Sequence, residues 1–162
     1  MNKPALFLDI DHTTIKPKSG NTFPEDKDDW MWIDGILDAI TKYYVKGYQI
    51  VFVSNQGGVE YDYVTQRELN SKFDKMRGKL ATYLGNRLGK DVSMKDMPVY
   101  YCPSMSSYDR KPNPGMAYQA ALDHELSLKA SIMVGDKESD EQFAENAGIG
   151  TFHYIDEFLT LI

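Results

Sequence analysis

The stretch Phe7-Leu8-Asp9-Ile10-Asp11-His12-Thr13-Thr14 decides the fold of this 162-residue chain. An apolar run stops at two carboxylates spaced i, i+2 and followed by hydroxyls, the pattern of a buried strand that delivers Asp9 and Asp11 to a solvent-facing turn. Ligands of open α/β folds sit at the carboxyl edge of a parallel sheet, where such a strand ends. Two acids held this closely repel unless a cation or a shared proton lies between them. The pattern fits a Mg²⁺ site beside a carboxylate nucleophile, with the second carboxylate as general acid/base. A strand end with two solvated acids accounts for the octapeptide equally well.

Working outward, short apolar runs alternate with helix-period segments, as in βαβ units around a parallel sheet. Ala5 to Ile10 is the first predicted strand. Ile33, Ile36, Leu37, Ile40 and Tyr44 keep helical spacing up to a stop at Gly47. Tyr48 to Val53 is a second buried strand, delivering Ser54-Asn55-Gln56-Gly57-Gly58 to a loop. Leu69, Phe73, Met76, Leu80, Leu84 and Leu88 trace a helical stripe that Gly78 and Gly85 weaken. Val99 to Cys102 is a third strand, and the polar loop from Pro103 to Pro114 precedes a helix from Gly115 to Glu125. Ser131 to Val134 is a fourth strand, ending at Gly135-Asp136. A helix over 138–147, a short strand at Thr151 to Tyr154 and a terminal turn complete the chain. The expected architecture is α/β, a Rossmann-like parallel sheet flanked by helices, in one domain over residues 1–162.

Composition narrows the function classes. Hydrophobic residues make up 42% and charged residues 26%, which suits a globular chain rather than a disordered one. The apolar runs are strand-length and no leader is visible, so a cytoplasmic protein without membrane contact is expected. Cys102 is the only cysteine, which excludes an internal disulfide and any multi-cysteine zinc site. A net charge of −6 argues against indiscriminate nucleic-acid binding, yet residues 66–90 concentrate Arg67, Lys72, Lys75, Arg77, Lys79, Arg87 and Lys90 against Glu68 and Asp74. The face carrying Lys72, Lys75 and Lys79 could track a polynucleotide backbone, although a solvated helix face is the commoner explanation.

Three strand ends carry reactive groups: Asp9 with Asp11, Ser54 with Asn55, and Asp136 with Asp140 four residues on. A fourth set lies on the loop Asp109-Arg110-Lys111-Pro112. Each βα connection emerges at the same sheet edge, so all four can converge. Asp9 can attack phosphorus, and Asp11 can protonate the leaving alcohol and later deprotonate water. Thr13, Ser54 and Asn55 can hold phosphate oxygens while Lys111 offsets the charge. Asp136 would complete a Mg²⁺ shell, Asp140 would orient or ligate through water, and Arg110 either touches phosphate or pairs on the surface.

The set DIDHT, SNQ, RKP and GDKESD, each after a strand and in this order, resembles the four motifs of haloacid-dehalogenase-type phosphatases. The resemblance implies Mg²⁺ held by Asp9, the main-chain carbonyl of Asp11, and Asp136. Family members usually have glycine where this chain has His12. The stretch from Thr14 to Ile33 is too short for a cap domain, and a core helix and strand take up residues 56–110. An open site suits phosphates at the ends of large molecules. The segment Lys18-Ser19-Gly20-Asn21-Thr22-Phe23-Pro24, followed by Asp29-Trp30, resembles the SGxxFP…DW signature of polynucleotide 3′-phosphatases. That branch implies a nucleic-acid 3′ end as substrate, a role in DNA repair, and a kinase on a separate chain, because no GxxxxGK[ST] segment is present. Related small-molecule enzymes, the histidinol-phosphate and heptose-bisphosphate phosphatases, often carry a Cys/His zinc loop before RKP, for which Cys102 has no partners.

Trp30, Trp32, Tyr61 and Tyr63 fall near the predicted site edges, where they could stack on unpaired bases or pack under a long loop. A small-molecule phosphatase is the alternative within the same chemistry. A phospho-acceptor receiver domain is the alternative outside it, disfavoured because the second strand ends in SNQ rather than in a phosphorylatable aspartate. A non-catalytic binding protein is a third class, with little to support it.

Overall fold

The computed structural model describes residues 2–162. Its frame is a five-stranded sheet of β1 (Ala5–Leu8), β4 (Gln49–Asn55), β5 (Val99–Cys102), β6 (Ile132–Gly135) and β7 (Thr151–Tyr154). Their order is β5-β4-β1-β6-β7, every neighbouring pair parallel. A separate antiparallel pair, β2 (Ile15–Lys16) and β3 (Met31–Trp32), follows β1 and was not foreseen from the sequence.

Alternation along the central strands sorts the core onto two faces, because successive side chains of a strand point to opposite sides. Leu6, Leu8, Ile50, Phe52 and Val134 face α1 (Ile36–Val45), α2 (Gln66–Leu88) and α5 (Ile155–Thr160). Ala5, Phe7, Val51, Val53 and Met133 face α3 (Gly115–His124) and α4 (Glu138–Ala147). Such double burial is why these strands read as unbroken apolar runs. Among the described residues no helix is long and apolar enough to cross a membrane.

Several expectations are corrected. β1 ends at Leu8 rather than Ile10, because the Ile10 carbonyl turns to accept from the N–H groups of Thr13, Thr14 and Ile15. β4 runs on to Asn55, paired with Tyr101 and Cys102 of β5, so Ser54 and Asn55 lie in the strand rather than in a loop. The C-terminal turn is the helix α5, which buries Ile155 and Phe158. Gly78 and Gly85 do not interrupt α2, which Thr65 and Glu68 cap reciprocally at 3.1 Å.

The basic face of α2 is also different from a phosphate-tracking surface. Lys72 is buried, Lys75 pairs with Asp28 at 3.1 Å, and Lys79 lies over the Trp30 ring. Arg77 and Arg87 pair with Asp74 and Asp38 at 2.7 and 2.9 Å. Trp30 is buried in the core on the α1, α2 and α5 side and meets Trp32 edge-on, so it does not stand free to stack on a base.

Candidate active site

The register of the parallel sheet brings the strand ends together. Leu8 lies beside Phe52 on one side and Val134 on the other, and the Asp9 N–H continues the ladder to the Val134 carbonyl at 3.1 Å. Asp9 therefore emerges between Ser54 and Asp136.

Lys111 is the hub. Its Nζ donates to Asp9 Oδ1 at 2.8 Å, Asp140 Oδ1 at 2.7 Å and the Val53 carbonyl at 3.0 Å. An ammonium has three hydrogens, so all are taken by the protein. Burial pulls its pKa down, but Asp9 and Asp140 outweigh that and hold it above the ordinary lysine value. It meets an incoming phosphate as a fixed buried charge. Asn55 fixes its backbone, donating to the Lys111 carbonyl at 3.0 Å and accepting from the Lys111 N–H at 2.9 Å. Asn55, expected at a phosphate, has its amide bracketing the lysine backbone.

Asp9 is the most perturbed carboxylate. Burial pushes its pKa up to about 6, with Asp136 adding to the rise and Lys111 opposing it. Its Oδ2 and Asp136 Oδ1 share the Thr13 hydroxyl, at 3.2 and 3.3 Å. One hydroxyl has one proton, so it satisfies only one of the two carboxylates at a time. Oxygens of Asp9, Asp136 and Asp140 lie within 4.8 Å of one another. A hard dication that prefers oxygen ligands fits this crowding.

Asp140 is less free to ligate than its neighbours. Its Oδ2 accepts from the N–H groups of Asp136 and Lys137, both at 3.1 Å, capping the start of α4, while Oδ1 holds Lys111. Burial raises its pKa. A Cβ at position 135 would collide with this side chain, which is why glycine precedes Asp136.

Asp11 is half-buried and accepts at Oδ2 from Gln56 Nε2, 2.8 Å away. The same amide lies 2.8 Å from the buried Ser54 hydroxyl. Gln56 thus joins the two sides of the site, a residue present in the SNQ motif but given no role from sequence. Arg110 packs over Gly57 and reaches the Ser104 carbonyl at 3.4 Å rather than the carboxylate cluster. Cys102 is buried and its thiol contacts the same carbonyl.

The turn after β1 contains a non-glycine in left-handed conformation. His12 has φ 62°, a geometry that costs an L-residue about 1 kcal/mol. Its N–H bonds the Ile15 carbonyl at 2.7 Å and its Nε2 donates to the Thr22 carbonyl at 3.0 Å.

The loop after that turn is organised by Asp29, which accepts from Ser19 N–H at 2.8 Å, Ser19 hydroxyl at 2.6 Å and Glu25 N–H at 2.9 Å. Ser19 and Asp29 are parts of the SGxxFP…DW signature. Their side chains build the loop itself.

Comparison with known proteins identifies the family. The family model described as Polynucleotide kinase 3 phosphatase matches residues 4–159. D-glycero-alpha-D-manno-heptose-1,7-bisphosphate 7-phosphatase of Burkholderia mallei is 35% identical over 161 residues, covering 93% of this chain and 79% of that protein. D-glycero-beta-D-manno-heptose-1,7-bisphosphate 7-phosphatase of Helicobacter pylori is 30% identical over 148 residues, covering 90% and 79%. In structure, D,D-heptose 1,7-bisphosphate phosphatase from B. bronchiseptica, solved with magnesium and phosphate, superposes with a TM-score of 0.74 at 26% identity, over 91% of this chain and 78% of that one. The chain belongs to the polynucleotide kinase 3 phosphatase family, within the capless haloacid-dehalogenase-like phosphatases.

Proposed function

We propose that the chain is a Mg²⁺-dependent phosphomonoesterase that frees a sugar hydroxyl from its phosphate, with a heptose bisphosphate as the substrate most favoured by its named relatives. The observation that carries this reading is the Asp9, Asp136, Thr13 and Lys111 cluster, where two carboxylates crowd one hydroxyl and one ammonium. Asp9, Asp136 and the Asp11 main-chain carbonyl would hold the metal, which when bound neutralises Asp9 and the phosphate oxygens. An Asp9 carboxyl with pKa about 6 needs that help to be fully ionised as a nucleophile.

The two oxygens of Asp9 divide the work. Oδ2, which shares the Thr13 hydroxyl with Asp136, would face the metal, and Oδ1, fixed by Lys111, would attack phosphorus. The P–O bond to the substrate breaks as the Asp9–phosphorus bond forms, and Asp11 gives its proton to the leaving alkoxide. Asp11 then takes a proton from water, which displaces phosphate from Asp9. Gln56 keeps the Asp11 carboxyl aimed across the site, and the Ser54 hydroxyl receives a phosphate oxygen.

A polynucleotide 3′ end is the second reading, favoured by the description of the matching family. Phosphate release should be followed from heptose 1,7-bisphosphate and from a 3′-phosphorylated oligonucleotide, with Mg²⁺ and with chelator. Release from either one, lost on chelation, supports the phosphomonoesterase and identifies its substrate class. Release from neither overturns it.

A further inference from the structure

At the sheet edge where the strands begin, a cavity of about 390 Å³ opens among Lys3, Tyr44, Lys90, Lys95, Asp96 and His124. Gln49, the first residue of β4, is on its wall, and Ser54 of the Asp9 site lies five residues further along the same strand. About 17 Å of strand therefore separates the cavity from the catalytic edge.

The wall carries three ammonium groups and one imidazole against one carboxylate, on a chain whose net charge is −6. Neighbouring cations of α2 are neutralised, Lys75 by Asp28, Arg77 by Asp74 and Arg87 by Asp38. Among the described residues Lys3, Lys90 and Lys95 pair with no carboxylate, Asp96 included. Like charges gathered in a concavity without counter-charge raise the local concentration of anions.

Helix ends do not account for the cluster. Cations are favoured where helices end because terminal carbonyls lack partners, and Lys90 and His124 do lie at the ends of α2 and α3. Those carbonyls are already served by the backbone: Gly85 accepts from the Gly89 and Lys90 N–H groups at 2.9 and 3.2 Å, and Ala121 from the Leu126 N–H at 3.1 Å. Lys3 precedes β1 and Lys95 lies in the short turn Met94–Asp96, so neither is at the end of an α-helix.

The walls are braced before any ligand arrives. The Lys3 N–H donates to the Glu125 carbonyl at 3.2 Å and its carbonyl accepts from Ser127 at 2.8 Å. The Lys95 N–H donates to the Ser93 hydroxyl at 3.2 Å, and the Gln49 amide donates to the Asp96 carbonyl. Lys90 Nζ stands 5.3 Å above the centre of the Tyr44 ring. The volume suits a small molecule. A polynucleotide would need a basic track leading away from the cavity, and the paired side chains of α2 do not provide one.

We propose that this cavity is a second binding site, for a compact polyanion bearing two phosphoryl or three carboxylate groups, held by Lys3, Lys90 and Lys95. It goes beyond the phosphomonoesterase reading and does not depend on it.

The test is calorimetric titration of the metal-free protein with pyrophosphate, with citrate and with an unphosphorylated oligonucleotide. One equivalent of pyrophosphate or citrate should bind, the tighter one identifying phosphate or carboxylate as the ligand chemistry. An exposed ion pair is worth about threefold, so the Lys90→Gln/Lys95→Gln protein should bind about tenfold more weakly. Lys3→Gln, on a separate segment, should cost about threefold by itself. All three side chains are exposed, so the ligand-free variants should keep the wild-type melting temperature. Phosphate release at Asp9 should change by less than about twofold in the double variant, because the sites are far apart. Binding of neither small anion, or binding that Lys90→Gln/Lys95→Gln leaves intact and Asp9→Asn alters, overturns the site. Tighter binding of the oligonucleotide than of either small anion, lost in the same double variant, overturns the small-molecule assignment.

Discussion

Asp9 and Asp29 each accept short hydrogen bonds, but their surroundings drive their pKa values in opposite directions. Asp9 sits on the buried floor of the site, where burial lifts its carboxyl to about 6 in spite of Lys111. Asp29 sits in the exposed rim, where the Ser19 hydroxyl and the Glu25 and Ser19 N–H groups hold it below the usual carboxylate range. The floor is a set of charges forced together by the sheet, and it favours whatever neutralises it. The rim is a locally bonded loop, and it favours keeping its carboxylate ionised. Floor and rim are thereby held by different physics within one stretch of chain, from Asp9 to Asp29.

The sharpest way to break this contrast is to remove the hub. Lys111→Ala strands Asp9 and Asp140 in the interior and should cost about 3–5 kcal/mol near pH 8. The loss should shrink near pH 5, where the Asp9 carboxyl can take a proton. Denaturant unfolding at the two pH values checks this, and an equal loss at both would mean that the floor is not held by charge.

Asp9→Asn should abolish phosphate release while leaving the fold intact, because Lys111 keeps its bonds to Asp140 and to Val53. It should also erase most of the rise in melting temperature that Mg²⁺ produces by binding the native state. Full turnover by this variant would show that Asp9 is not the nucleophile.

Titration of stability separates the two regions without mutation. Asp9 has a higher pKa folded than unfolded, so between about pH 4 and 6 the native state carries a proton that the unfolded chain has lost. Metal-free stability should therefore fall as pH rises through that window, and saturating Mg²⁺ should flatten the fall. Asp29 has the opposite sign: its support is complete above the ordinary aspartate pKa and is lost as pH falls through its lower folded value. A melting temperature that rose steadily from pH 4 to 6 in chelator would contradict the assignment of Asp9.

The smallest effect should come from Asp29→Ala. Its carboxylate is exposed, so stability should change little, while the untied loop should raise KM and leave kcat nearly unchanged. Steady-state kinetics on whichever phosphomonoester the protein turns over distinguishes this from a loss of kcat, which would place the loop in the chemical step.

Legibility in the sequence follows the same division. The strands and helices could be read because double burial leaves apolar runs and helical packing leaves stripes at 3.6 spacing. Asp9, Ser54 and Asp136 could be read because each ends such a run. The functions of Asn55, Gln56 and Arg110 could not, since an amide or guanidinium at a loop mouth has many available partners. The SGxxFP…DW segment was legible as a pattern but not as a cause, because its bonds from Ser19 to Asp29 are local loop closure.

The order of buried strands along the chain and the acids at their ends follow from the sequence by itself, because burial and periodicity are local properties of the chain, whereas the carboxylates that crowd Asp9 are Asp136 and Asp140 rather than Asp11. Tertiary structure alone decided that Lys111 would bind Asp9, Val53 and Asp140, partners 102, 58 and 29 residues away. It alone decided that His12 would hold Thr22 and that α2 would turn its lysines toward Asp28 and Trp30. Side chains so far apart in the chain meet only when a packed sheet brings them together and burial requires each donor to find its acceptor within the protein, and no spacing rule carries that information.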